Sequence, residues 1–133
     1  MSKISINASC PCGSGNKYKK CCRIYHKGAK APDALTLMKA RYSAYAANEY
    51  AYIIKTTHPK NPDYSTQTQT WKASILAFSN NTEFLGLEII EFIDNPQEAF
   101  VAFTAHLSSG TLNEKSRFLK TDGKWLYTDG VLF

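Results

Sequence analysis

The chain has no cysteine after position 22, no aspartate or glutamate in its first 30 residues, and no apolar run near the length of a membrane span. Each absence excludes something. A transmembrane helix needs roughly 18 uninterrupted apolar residues, and no segment of the 133 residues approaches that. Positions 1–7 contain Lys3 and no apolar block, so no secretory signal is expected there. A cytoplasmic, reducing location is the resulting expectation, and disulfides are rare in such a compartment. Paired carboxylates, a Ser–His–Asp order and a phosphate-binding loop are also missing; the single Gly-Ser-Gly, at 13–15, lies among the cysteines. No internal repeat or low-complexity tract is present, and no catalytic residue is assigned.

What the chain does have is all four of its cysteines inside one 13-residue stretch, Cys10-Pro-Cys-Gly-Ser-Gly-Asn-Lys-Tyr-Lys-Lys-Cys-Cys22. A structural Zn²⁺ site needs four ligands at tetrahedral angles, with metal–sulfur bonds of about 2.3 Å. Cys10 and Cys12 reach one metal if the chain turns sharply around them, and Gly13 and Gly15 supply the positive φ such a turn demands. Cys21 and Cys22, at the start of a helix, provide the other two ligands. Two thiol readings stand beside this one. Four cysteines allow three disulfide connectivities, and the vicinal Cys21–Cys22 pair is a redox dithiol only through a strained ring. The reducing compartment weighs against both.

These residues resemble the SEC-C zinc motif found at the C-terminus of the SecA translocation ATPase. Asn16 stands where that family usually has lysine, a departure that touches no ligand. The resemblance implies Cys10, Cys12, Cys21 and Cys22 as zinc ligands, and a module that contacts proteins or ribosomes. His26 has no ligand vacancy to fill and is expected to be a solvated surface histidine.

Charge follows the same boundary. Residues 1–30 carry seven basic side chains, whereas the remaining 103 carry nine basic and eleven acidic ones. Four thiolates around Zn²⁺ add a net −2, leaving this segment at about +5. Such a patch attracts acidic protein surfaces or phosphate backbones. Lys17, Lys19, Lys20 and Arg23 are its candidate partner-binding residues; the plain alternative is a solvated face that keeps a small module soluble. Tyr18 and Tyr25, interleaved with the lysines, suit either stacking or packing.

Residues 31–133 read as one α+β domain behind a knuckle of residues 1–30. Asp33 caps a helix running to about Ala47, with Leu35, Met38, Tyr42 and Tyr45 at helical spacing. Asn48 ends it, Glu49 opens a shorter helix, and His58-Pro59 closes that one. A third helix covers Gln67–Phe78, with Trp71, Ile75 and Phe78 aligned. The period then changes to two. Leu85, Leu87 and Ile89 alternate in a first strand, and Ala99, Val101, Phe103, Ala105 and Leu107 face one way in a second. Two further strands, 112–120 and 124–132, flank Asp122-Gly123, a tight-hairpin signal. Three helices packed on a curved four-stranded antiparallel sheet is the expected arrangement.

That order is similar to the NTF2-like cone. Leu37-Met-Lys-Ala-Arg-Tyr-Ser-Ala-Tyr45, Thr57-His-Pro59, Phe84-Leu-Gly-Leu87, Ser116-Arg-Phe-Leu-Lys120 and Gly123-Lys-Trp-Leu-Tyr-Thr-Asp-Gly130 resemble blocks of the bacterial YchJ family. Many members of that family carry a second SEC-C motif after the cone, and none follows here, so contact through two zinc motifs is not expected. The resemblance implies no reaction. Cones of this kind often enclose a pocket, and isomerase-like chemistry in one needs a base facing an apolar cavity and a donor for an oxyanion. Arg41, Tyr42, Tyr45, His58, Trp71, Tyr127 and Asp129 are the candidate pocket residues. The aromatic ones among them serve equally as packing. With a two-residue turn at 122–123, Ser116 is expected opposite Asp129 and Phe118 opposite Tyr127, which disfavours an Arg117–Asp129 pair and leaves Arg41 as partner for a buried carboxylate.

The functional expectation is a zinc-binding accessory or adaptor protein whose basic knuckle docks on a protein or ribosome-associated partner. Nucleic acid, and a homodimer formed through the sheet, are the other partners considered. The competing reading is a small-molecule-binding or isomerase-like cone to which the knuckle is a tether.

Overall fold

A computed structural model describes residues 4–133. Residues 1–3 of the expected knuckle lie outside the described residues. A short hairpin pairs Ser9 with Lys17, a single 3₁₀ turn spans Tyr18–Lys20, and helix α1 spans Cys22–His26. Three more helices follow, α2 (Ala34–Ala46), α3 (Tyr50–Lys55) and α4 (Thr68–Asn80), and then four strands, β1 (Phe84–Asp94), β2 (Glu98–Leu107), β3 (Gly110–Thr121) and β4 (Lys124–Leu132). The strands form one antiparallel sheet in sequence order, with helices on one of its faces. No helix among the described residues is long and apolar enough to cross a membrane.

The local signals do what their chemistry dictates. Asp33 caps α2 by accepting from the Thr36 amide at 2.7 Å. Asn48, at φ 60°, terminates α2 in the left-handed conformation that asparagine tolerates. Asp122 and Gly123 both have positive φ, 51° and 77°, and join Thr121 to Lys124 in a two-residue turn.

Helix α2 is the centre of the molecule. It is buried nearly all round, at Ala34, Leu37, Ala40 and Ala44 as well as at Met38, Arg41 and Tyr42, because α1 covers one side while α3, α4 and the sheet cover the rest. The expected single stripe is therefore only part of its packed surface, and Leu35 and Tyr45 are just half-buried.

Three bulges curve the sheet, and each overturns a simple alternation. At the first, Phe84 pairs with Leu107 and Gly86 with His106, so Leu85 is the extra residue and lies 66% exposed while Phe84 turns inward. At the second, Ile90 is likewise displaced, 56% exposed. The third falls between Arg117 and Phe118. Phe118 sits opposite Tyr127 as expected, but Thr128 is left over, so Arg117 pairs with Asp129 and Ser116 with Gly130. The disfavoured pair thus exists: Arg117 donates to Asp129 through Nε at 2.9 Å and Nη2 at 2.7 Å, and through Nη1 to Glu98 at 3.2 Å. Asp129 is held below the usual carboxylate range, chiefly by that hydrogen bonding. Its contribution to stability is present above about pH 4 and lost as pH falls through the lowered value. The pair is partly exposed, so that contribution is small.

Candidate functional site

The knuckle is built from its turns. Gly13 and Gly15 adopt φ 83° and 87°, which folds the chain back so that the Cys10 amide bonds the Asn16 carbonyl at 2.8 Å. The Tyr18 and Lys19 amides bond back to Ala8 and Ile6, closing the loop onto itself. Cys10, Cys12 and Cys22 are buried and Cys21 is half-buried; none is in a disulfide. Their four sulfurs lie within 4.8 Å of one another, and Cys12 and Cys21 Sγ are 3.6 Å apart. Tetrahedral bonding to zinc at about 2.3 Å would set neighbouring sulfurs about 3.8 Å apart, so the cluster fits a metal and its four soft donors complete the coordination. Ser14 Oγ lies 3.1 Å from Cys21 Sγ, and Ser43 Oγ of α2 lies 3.5 Å from Cys10 Sγ. Both hydroxyls are placed to orient the donors.

Three of the thiols perturb one another. Cys10 is pulled below its ordinary value, chiefly by hydrogen bonding from Cys12. Cys12 and Cys22 are pushed up, each chiefly by its contact with Cys10. Ionisation of one of these three thiols thus opposes ionisation of its neighbours, and a bound dication would offset that opposition.

His26 is not solvated as expected. Its Nδ1 meets the Tyr18 hydroxyl at 2.7 Å, and its Nε2 meets the Ala40 carbonyl of α2 at 2.8 Å. Tyr18 is 1% exposed, and the His26 ring also packs on Tyr52, 4.9 Å between centroids. The histidine therefore bolts the knuckle onto α2 and α3. Burial lowers its pKa, so its ring C–H proton should titrate below the ordinary value of about 6.5 in an NMR pH series. A midpoint at or above 6.5 would contradict this packing.

The basic side chains lie in the same segment as the cysteines. Lys17 and Lys20 are exposed, Lys19 and Arg23 half-buried. None of them makes an ion pair among the described residues.

A separate cavity of about 210 Å³ lies between α2, the end of α4 and the sheet. Four of the seven candidate pocket residues, Arg41, Tyr42, Tyr45 and Tyr127, line it. His58, Trp71 and Asp129 do not. The His58 backbone is tied to β4 through Tyr127, and its imidazole turns back to accept from the Lys60 amide at 3.0 Å. Trp71 packs edge-on against Tyr64 beside a different hollow of about 310 Å³. Asp129 is drawn to Arg117 by the bulge. Nor does Arg41 hold a carboxylate. Its Nη1 donates to Ile53 O, Thr56 Oγ1 and Thr57 Oγ1 at 2.8–3.1 Å, using the carbonyl end of α3, while its Cζ sits 4.7 Å from the centre of the Tyr127 ring.

Glu114 and Ser116 also line the cavity and were missed by sequence reasoning. The signal was there. Leu112, Glu114, Ser116 and Phe118 alternate on one face of β3, which places a carboxylate in line with core residues.

Comparison with known proteins agrees with this architecture. Residues 7–23 match the SEC-C motif, a metal-binding motif, and residues 33–130 match the middle NTF2-like domain of YchJ. A SEC-C motif containing protein from Rhodopseudomonas palustris is 28% identical, with a TM-score of 0.79 over 95% of this chain and 99% of that one. A SEC-C motif containing protein from Psychrobacter arcticus is 26% identical, with a TM-score of 0.78 over 96% of this chain and 84% of that one. A DUF4783 family protein from Bacteroides ovatus, 13% identical over 68% of this chain and 88% of its own, has a TM-score of 0.51 and shares the fold alone. With an NTF2-like cone behind a four-cysteine SEC-C knuckle, the chain belongs to the YchJ family.

Proposed function

We propose that this protein is a cytoplasmic zinc-binding accessory protein whose basic knuckle docks on an acidic protein or ribonucleoprotein partner. The observation that carries the reading is the knuckle itself: four gathered sulfurs in a segment whose basic side chains make no ion pair among the described residues. Four thiolates fill a tetrahedral shell, so zinc held by Cys10, Cys12, Cys21 and Cys22 has no open position for activating water, and its chemistry here is structural. The metal would fix the loop that presents Lys17, Lys19, Lys20 and Arg23, and those charges would steer the encounter.

The test compares native-lysate capture by wild type with capture by a Lys19→Glu/Lys20→Glu/Arg23→Glu variant whose zinc content, measured by elemental analysis, is unchanged. A partner retained by wild type at low salt, and lost both in the variant and at high salt, is the expected result. Identical captures by the two proteins would sink the docking role, and zinc-free wild type would sink the metal.

A further inference from the structure

We infer that the cavity of the cone is a binding site for a small uncharged molecule with an apolar ring or chain and an amide-like group, a carbonyl acceptor beside an N–H or O–H donor. This goes beyond the knuckle and does not depend on it. The walls are aromatic and aliphatic, including Tyr42, Phe84, Phe103 and Leu112. An apolar cavity of about 150 Å³ already accepts benzene, so about 210 Å³ accommodates a substituted ring.

The polar groups at the cavity set the class of ligand. Arg41 is 8% exposed and spends only Nη1 on the protein; among the described residues Nε and Nη2 donate to nothing. Glu114 accepts from Ser116 and from the Tyr127 hydroxyl, both through Oε2, which leaves Oε1 without a donor among the same residues. Tyr127 stands between them, with Arg41 over its ring and Glu114 on its hydroxyl, and no ion pair joins the two charges. The cavity therefore offers free donors and a free acceptor whose formal charges cancel. A ligand with net charge would meet a like charge on one side of the wall, whereas a neutral group with an acceptor and a donor suits both sides.

The chain also reserves space for this arrangement. Gly130 has ordinary strand geometry, yet a Cβ there would overlap the Glu114 side chain. Glycine at this position leaves room for the carboxylate as it is placed, and a larger residue would make the Glu114 side chain shift.

Three ring compounds of equal size test the inference: benzamide, benzoate and benzylamine, titrated at neutral pH and followed by amide NMR shifts. Benzamide is expected to bind in the millimolar range or tighter, as suits so small a ligand. Its affinity should exceed that of either charged compound about tenfold, with shifts confined to residues lining the cavity. Glu114→Gln leaves Arg41 unbalanced and should reverse the preference in favour of benzoate. Ala105→Leu, which fills the cavity from β2, should abolish binding of all three. The inference is overturned if none binds, if benzoate or benzylamine matches benzamide on the native protein, or if Glu114→Gln leaves the order unchanged. That last comparison stands even where Ala105→Leu does not fold.

Discussion

Cys22→Ser is expected to remove the metal and unfold the knuckle. Cys22 is 3% exposed, at the first turn of α1 and against α2. A hard hydroxyl there replaces one of four soft thiolates, and the hairpin of residues 9–17 is too short to hold its shape alone. Structural zinc contributes about 10 kcal/mol or more to such a segment at neutral pH, as much as many whole domains have in reserve. Zinc per chain should fall from one to near zero. The amides of Cys10, Tyr18 and Cys21, whose hydrogen bonds close the loop, should lose hydrogen-exchange protection. Chelation of the native protein under reducing conditions should give the same exchange pattern, which a disulfide-held loop would not. Metal binding should also weaken as pH falls, because protons compete with the metal for the thiolates, and contact with Cys10 together with burial pushes the Cys22 thiol up. Unchanged zinc stoichiometry and affinity in Cys22→Ser would refute the four-ligand assignment.

Phe118→Ala should be the most damaging single truncation in the cone. The ring is 1% exposed and meets Tyr127 edge-on at 5.7 Å. Its removal costs the transfer of the side chain plus a void that neighbours fill poorly, about 3–5 kcal/mol for a buried phenylalanine. The void here opens into an existing cavity, which places the loss toward the upper end. For a chain of this length that is a fall in melting temperature of roughly 10–18 °C, measurable by calorimetry on metal-saturated protein. Phe78→Ala is the control. It removes the same side chain from a residue that lines the same cavity but is 41% exposed, and it should cost far less. Equal losses in the two variants would mean that the sheet end of the cavity is not packed as described.

Much of the cone was legible along the chain because its signals are local. Asp33 caps, Asn48 stops a helix and Asp122-Gly123 turns a hairpin through their own backbone chemistry, with no help from distant residues. The cysteine spacing is local in the same sense. The bulges at Leu85, Ile90 and Thr128 were not legible, since an extra residue in a strand is defined only against its partner. One such residue moved Asp129 from the expected pocket to Arg117, and another exchanged Phe84 for Leu85 on the inner face. Glu114 was visible as a carboxylate in register with a core face, but its role needed Gly130 from the neighbouring strand.

The sequence by itself determined the kinds of parts: four soft ligands in one loop, a basic segment without acids, helices followed by a four-stranded meander. These follow from residue chemistry and short-range periodicity. Only the tertiary structure decided how the parts meet. It turned His26 inward to join the knuckle to α2, assigned Arg41 to the carbonyl end of α3 instead of a carboxylate, and brought Glu114 within a cavity that no stretch of sequence outlines. Burial and hydrogen-bond partnership across 12 to 67 residues of chain are properties of packing, and packing is settled only when every element is in place.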